Sequence, residues 1–452
     1  MPAHFPLAPT GNSSPSRRSL LRGALLGLGG AVAGGALTAC ATADAAEGAG
    51  TLQMWDLFQG SDGALMYEVL DAARRRMPGL SVKRTVLEWG TPYYTKLSMA
   101  SVGGRGPDMA ISHMSRLAAL ARSGLLDPWD LDLMARYGVH RDDYASSVWP
   151  ITQYGGHTYA MPLDTHPFIV FFHPDIARRA GLLDDDGALD PGAFSSPERF
   201  LSSSRALARA SGHEGVAFGH ANDPSQCWRL FYALYRQTGE AMTLTPGSRA
   251  GVDLDRMTEV VAFMSRLLDG RTNPRHLDYN AGIASFVNRR TGLILSGEWE
   301  LATFRTADPK VDAAPFPTVF DHPAVYADSH SFVLPHHPDP GPERRRRVHE
   351  TVAAVLRSGQ VWAKAGHIPA YRPVTRTAAY RALRPQRDYV AAQAHTVFDP
   401  VAWFTGAASD FQNQMSQTLQ TALIEDVPPA QVARTMVRKL DGFLTQPDPS
   451  AP

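Results

Sequence analysis

Apolar positions in the first third of the chain fall into two alternating rhythms. Thr51–Trp55 is a short run of strand character, and the stretch after it sets Leu65, Val69, Ala73 and Met77 four residues apart, with Leu70 beside them. Side chains four apart share one helix face, so this spacing predicts a helix capped by Asp62 and stopped by Pro78-Gly79. Ser81–Leu87 predicts a second strand and Asp108–Ser112 a third. A helix from Ser115 through Leu117, Leu120 and Ala121 follows, with Gly124 suited to the left-handed position beyond its end. Strands alternating with helices argue for a parallel sheet with covering helices, and in such sheets a ligand sits outside the carboxyl ends of the strands. The loops after Trp55, Leu87 and Ser112 carry Asp56, Phe58, Gln59, Glu88, Trp89 and His113, and these are the first candidates for a site.

The rest of the chain repeats the mixture. Gly155–Asp164 holds a Gly-Gly turn and a strand, Phe168–Phe172 is a continuous apolar strand, and Leu182–Pro197 is an acidic, turn-rich surface loop. Helical spacing returns at Phe200–Ala210, Met257–Leu268, Val348–Ala365 and Gln412–Leu423, with no repeat of solenoid period. At 452 residues the chain is long enough for two lobes. Lys plus Arg equals Asp plus Glu at 44 each, so no global positive field gathers nucleic acid. The two cysteines, Cys40 and Cys227, are too few for a disulfide framework or a thiolate metal cage.

The N-terminus reads as an address. Ser16-Arg17-Arg18-Ser19-Leu20-Leu21-Arg22 precedes a Gly/Ala-rich apolar stretch, Gly23 to Ala39, that is short for a membrane span, and Leu37-Thr38-Ala39-Cys40 follows. A positive segment, a short apolar core and small residues before a cut site describe an export signal, and the paired arginines match the twin-arginine type. Leu-Thr-Ala-Cys resembles a bacterial lipobox. The expectation is a signal peptide over 1–39, lipid on Cys40, and a flexible tether over 40–50, which would anchor the protein at the outer face of the cytoplasmic membrane.

Four segments, in order, resemble the family 1 extracellular solute-binding proteins of ABC importers, the maltose-binding-protein-like group. They are Gly106-Pro-Asp-Met109 with Ser123-Gly-Leu-Leu-Asp-Pro128; Gly156-His-Thr-Tyr-Ala-Met-Pro162 with Phe171-Phe-His-Pro-Asp175; Phe286 through Gly297-Glu-Trp299; and Trp362-Ala-Lys-Ala-Gly-His-Ile-Pro369. The chain departs from the family pattern at Phe172-His173-Pro174 and at Gly292-Leu293-Ile294, which leaves the identity of the ligand open. The resemblance implies an α/β, two-lobed periplasmic-binding-protein-like fold of type II. Its discontinuous lobes would be 51–163 plus 328–365 and 164–327 plus 366–452, joined by hinge crossings near Leu163, 316–328 and 365–371. It also implies a monomer that passes a small solute, a sugar, to the transmembrane subunits of an importer.

A sugar ring offers apolar faces and a rim of hydroxyls, so its cleft needs aromatic platforms and short-range polar groups. The candidate ligand residues are Trp55, Asp56, Gln59, Trp89, His113, Asp164, His166, Trp228, Glu298, Trp299 and Trp403, and the resemblance favours Trp299 and Trp403 as platforms. Core packing competes with this role for every tryptophan, and a turn role competes for Asp56 and Asp164. His213, His220, His322, His330, His336 and His337 lack tight ligand spacing and read as solvated loops. No metal or cofactor is expected, and Cys227 reads as a small buried hydrophobe. Two alternatives stay open: the same fold with a peptide or polyamine as cargo, or a secreted glycoside hydrolase acting through Asp164 and Glu298. No arginine cluster converges on the candidate loops, which favours a neutral or cationic solute over an anion.

Overall fold

The computed structural model describes residues 50–448. The signal segment, Cys40 and most of the tether lie outside the described residues.

The chain opens with β1 (Leu52–Asp56), α1 (Gly60–Arg76), β2 (Val82–Val86), α2 (Thr91–Val102) and β3 (Met109–His113). The three strands are parallel in the order β2-β1-β3, as the alternation predicts. The sheet is not parallel throughout. His330–Pro335 pairs antiparallel with β3, and Ala160–Pro162 and Leu126–Asp127 pair antiparallel with that strand in turn. Met66, Val69, Leu70 and Ala73 of α1 are buried in the core beneath this sheet together with Met54, Ile111, Phe332 and Val352. Asp62 is not the cap: the helix starts at Gly60 with Gln59 in the capping position, and Asp62 lies in the first turn.

A second sheet has the strand order Glu214–Ala217, Thr291–Gly297, Phe168–Phe172, Asp312–Pro315. Along Phe168–Phe172 successive residues enter different cores: Phe168, Val170 and Phe172 join one, Ile169 and Phe171 the other. A strand covered on both faces has no polar positions, which accounts for its continuous apolar sequence. Gln226–Gln237 is a helix outside the predicted set; it is buried nearly all round, although its polar residues Gln226, Arg229, Arg236 and Gln237 fall on one face. Tyr279–Val287 and Pro429–Leu444 are further helices outside the predicted set. The predicted 348–365 helix runs instead over Pro342–Arg357 and gives way at Ser358 to short turns.

Three segments run side by side between the two cores. Asp164 pairs with Pro369 and Thr165 with Ile368, while Pro167 bridges to Ala327. Ala370, Tyr371 and Val374 pack into the first core, although the sequence division gives them to the second lobe. No helix among the described residues is long and apolar enough to cross a membrane.

Candidate functional site

The carboxyl ends of β1, β2 and β3 converge on one cavity of about 370 Å³. Leu57, Phe58 and Gln59 reach it from the β1 loop, Glu88 and Trp89 from the β2 loop, and His113 from the end of β3. The facing wall comes from the second lobe: Asp223, Ser225, Gln226 and Arg229 at the start of the Gln226–Gln237 helix, Tyr279, and Trp299 just past the Thr291–Gly297 strand. His166 and His330, both at the crossings, close the floor.

Buried charges fix this wall from behind. Asp56 faces the protein rather than the cavity. Arg84 donates to it through Nε (2.5 Å) and Nη2 (2.7 Å), and the same guanidinium donates to the carbonyls of Gly63 and Phe58. That fork locks the turn carrying Leu57–Gln59, and a planar guanidinium suits it because each of its three nitrogens donates. Asp164 is likewise buried. It accepts from the backbone N–H of His330 (2.7 Å) and from the indole N–H of Trp362 (2.9 Å), and Nδ1 of His330 lies 2.9 Å and Nδ1 of His166 3.3 Å from its oxygens. Burial alone would raise the Asp164 carboxyl, but His330 and His367 outweigh it and hold the group well below the usual carboxylate range. His367 stacks on Trp362 at 4.3 Å, with Nε2 3.1 Å from Asp62. Burial opposes its charge, yet Asp62 and Asp164 prevail and raise it well above the ordinary histidine value, so the ring is protonated. Glu298 Oε1 lies 3.1 Å from His367 Nδ1 without hydrogen-bond geometry, and burial, only partly offset by His367, pushes its carboxyl up to about 8.

The aromatic pair across the cavity holds a cation. The Arg229 guanidinium carbon lies 5.3 Å from the Trp299 ring centre and 5.7 Å from that of Trp89. Arg229 is 6% exposed, makes no ion pair among the described residues, and its Nε has no hydrogen-bond partner there. Trp299 is fixed by its indole N–H, which donates to Tyr279 Oη at 2.6 Å; that hydroxyl in turn donates to Glu300.

Of the residues predicted from sequence, the structure brings Gln59, Trp89, His113, His166 and Trp299 to the cavity. The others are elsewhere. Trp55 sits beside Lys96, 5.2 Å from its ring centre. Asp56, Asp164 and Glu298 are buried behind the walls. Trp228 is wholly inside the second core, where its N–H donates to Asp399 at 2.7 Å. Trp403 packs edge-on against Phe404 at that core's margin.

Sequence reasoning missed Arg229, Tyr279, Asp223, Ser225 and Gln226. One signal was present: Arg229 is a cation inside an otherwise apolar run. The loop reading of His330 is also corrected. It opens a buried strand, and its ring lies 4.8 Å from His113 and 4.2 Å from His166, centre to centre. Burial and neighbouring rings hold His113 well below the ordinary histidine range and His166 at about 3, so both are neutral.

No family model matches this sequence, and no curated protein matches it in sequence. Solved structures do match in fold. An ABC transporter solute-binding protein from Thermotoga lettingae, bound with α-D-tagatose, has a TM-score of 0.69 at 16% identity over 87% of this chain and 99% of its own. Maltose-bound MalE3 of T. maritima gives 0.72 at 13% identity over 87% and 99%. UgpB from Mycobacterium tuberculosis, in complex with glycerophosphocholine, gives 0.72 at 18% identity over 88% and 99%. The chain therefore has the two-lobed α/β fold of these solute-binding proteins.

Proposed function

We propose that this chain is the solute-capturing component of an ABC importer, tethered outside the cytoplasmic membrane by lipid on Cys40, and that its solute is a carbohydrate bound between the lobes. The observation that carries this reading is the pair Trp89 and Trp299, contributed by opposite lobes to one cavity of about 370 Å³ whose remaining wall mixes apolar and hydrogen-bonding side chains. Aromatic rings present flat apolar faces to the C–H faces of a sugar, and Gln59, Glu88, Asp223, Ser225 and Gln226 offer donors and acceptors for its hydroxyls. Closing the lobes around a solute would give the importer a shape to recognise. The carboxylate pair behind the hydrolase alternative, Asp164 and Glu298, is buried behind the wall, where neither group reaches a glycosidic bond in the cavity.

One observation favours a second reading. Arg229 brings to the wall a guanidinium with no ion-pair partner among the described residues, which suits a solute carrying an anionic group, such as a phosphorylated polyol. A thermal-shift panel of neutral saccharides, sugar phosphates, phosphodiesters, amino acids and polyamines separates the two, since a ligand that binds only the native state raises its melting temperature. Shifts with neutral saccharides support the first reading and shifts confined to phosphorylated polyols support the second. Shifts confined to amino acids or polyamines would overturn both. Incubation with any hit, followed by chromatography, tests for turnover, and turnover would overturn the binding-protein reading.

A further inference from the structure

We propose that His113, His166 and His330 form a binding site for a divalent transition-metal ion of the zinc class, with one coordination position open to the cavity. The fold converges these rings from three separate places. His113 ends β3, His330 is its direct cross-strand partner on the antiparallel neighbour, and His166 lies two residues past Asp164 on a crossing segment. Cross-strand partners project to the same face of a sheet, which sets the first two rings together. One nitrogen of each ring lies within 4.8 Å of one nitrogen of each of the others.

The hydrogen bonds show which nitrogens these rings have free. Nδ1 of His113 is 2.8 Å from Tyr94 Oη, Nδ1 of His166 is 3.3 Å from Asp164 Oδ1, and Nδ1 of His330 is 2.9 Å from Asp164 Oδ2. No Nε2 of the three has a hydrogen-bond partner among the described residues, and all three rings line the cavity. Metal-ligating histidines have this form: the far nitrogen donates to a carboxylate or other oxygen, which fixes the tautomer and leaves a lone pair on the near nitrogen. Asp164 orients two rings and supplies a counter-charge behind them. Arg229 is the cation on the opposite wall, and Glu88 and Asp223 also line the cavity. Three imidazoles suit zinc and its borderline neighbours, and bonds of about 2.0–2.1 Å require the nitrogens to draw in from the separations of up to 4.8 Å seen here. The fourth position then takes water or a solute oxygen, as in three-histidine zinc sites. The ion site stands on the rings alone; the contact to solute rests on the proposed function.

The test uses chelator-stripped protein titrated with zinc chloride by calorimetry, and with Co²⁺ read by visible absorption. One ion per chain is expected, with H113Q, H166Q and H330Q each weakening it by about tenfold or more. Absence of binding, or unchanged affinity in the triple variant, would overturn the site. Should a variant fail to fold by near-UV circular dichroism, X-ray absorption on the Co²⁺-loaded native protein decides: three imidazole ligands support the proposal, one or none sinks it. Solute titrations run with and without zinc keep the two readings apart. Zinc binding by a protein that takes no solute upholds the ion site and defeats the solute reading, whereas solute binding without any zinc affinity does the reverse.

Discussion

Replacing Trp299 by alanine, beside the same change at Trp228, separates a cleft wall from a core. Trp228 is fully buried, stacked on Tyr232 at 5.0 Å and edge-on to Phe411 at 4.7 Å, and its N–H supplies one of the bonds that satisfy the buried Asp399. Removing a buried tryptophan costs about 3–5 kcal/mol of stability, and the lost donor adds to that. Trp299 is half-buried. It touches the Arg229 guanidinium, His166 and Phe168, and its one hydrogen bond goes to Tyr279. Burying a tryptophan covers 150–250 Å² of surface, so at about 25 cal/mol per Å² a half-covered ring accounts for only about 2–3 kcal/mol of stability. A stacked ring lost from a binding site costs about 2–4 kcal/mol of affinity, or about thirty-fold to nearly a thousand-fold in Kd. Urea unfolding without solute and calorimetry with the thermal-shift hit measure both quantities. The expected pattern is lost affinity with modest destabilisation for Trp299→Ala, and lost stability with affinity kept in the folded fraction for Trp228→Ala. Native affinity in Trp299→Ala would refute the platform and remove the main support for a sugar in this cavity.

Arg229→Gln removes the cation–π contacts with Trp89 and Trp299 and should lower stability by about 0.5–2 kcal/mol per contact, while weakening an anionic solute by about ten- to a hundred-fold; urea unfolding reads the first, and calorimetry against a neutral saccharide shows which solute class suffers. Glu298 is held at about 8 in the folded chain against 4.5 when unfolded, so between those values the native state keeps a proton that the unfolded state has lost. Stability should therefore fall with rising pH by about 1.4 kcal/mol per pH step across that window, and Glu298→Gln should remove this part of the slope in urea titrations at pH 5, 6.5 and 8. Asp56→Asn leaves the buried Arg84 without its counter-charge and should cost about 3–5 kcal/mol, read as a lower urea midpoint. Cys40→Ala should release the protein from the membrane fraction, with loss of lipid from the intact mass.

The part of the site that follows sequential strand–helix units was legible. The four-residue spacing of α1 and the short strands on either side place the loops after β1, β2 and β3 at one edge, and Gln59, Trp89 and His113 arrive there. On the other side of the cavity only His166 and Trp299 were read from sequence; Gln226 and Arg229 were missed although the polar residues of their helix, with Arg236 and Gln237, fall on one face. Residue type also failed to report depth. Asp164 and Glu298 look like ligand acceptors in sequence, but each serves the buried network around His367. Trp228 and Trp299 are chemically equal in the sequence and differ only in what the fold stacks above them. His330 was read as a loop residue because nothing local shows that its strand is inserted beside β3.

The arginine between two tryptophans has a consequence for discrimination. The Trp89–Arg229–Trp299 stack is a contact of the protein with itself across the cleft, and cation–π pairs of this kind are worth about 0.5–2 kcal/mol each. A solute entering between the rings competes with this internal occupant, so its measured affinity is a difference between two states of stacking. Molecules whose faces offer the indoles less than a guanidinium does leave the stack intact. On the proposed function, the resting protein thus sets a threshold of its own that weakly stacking molecules would not cross.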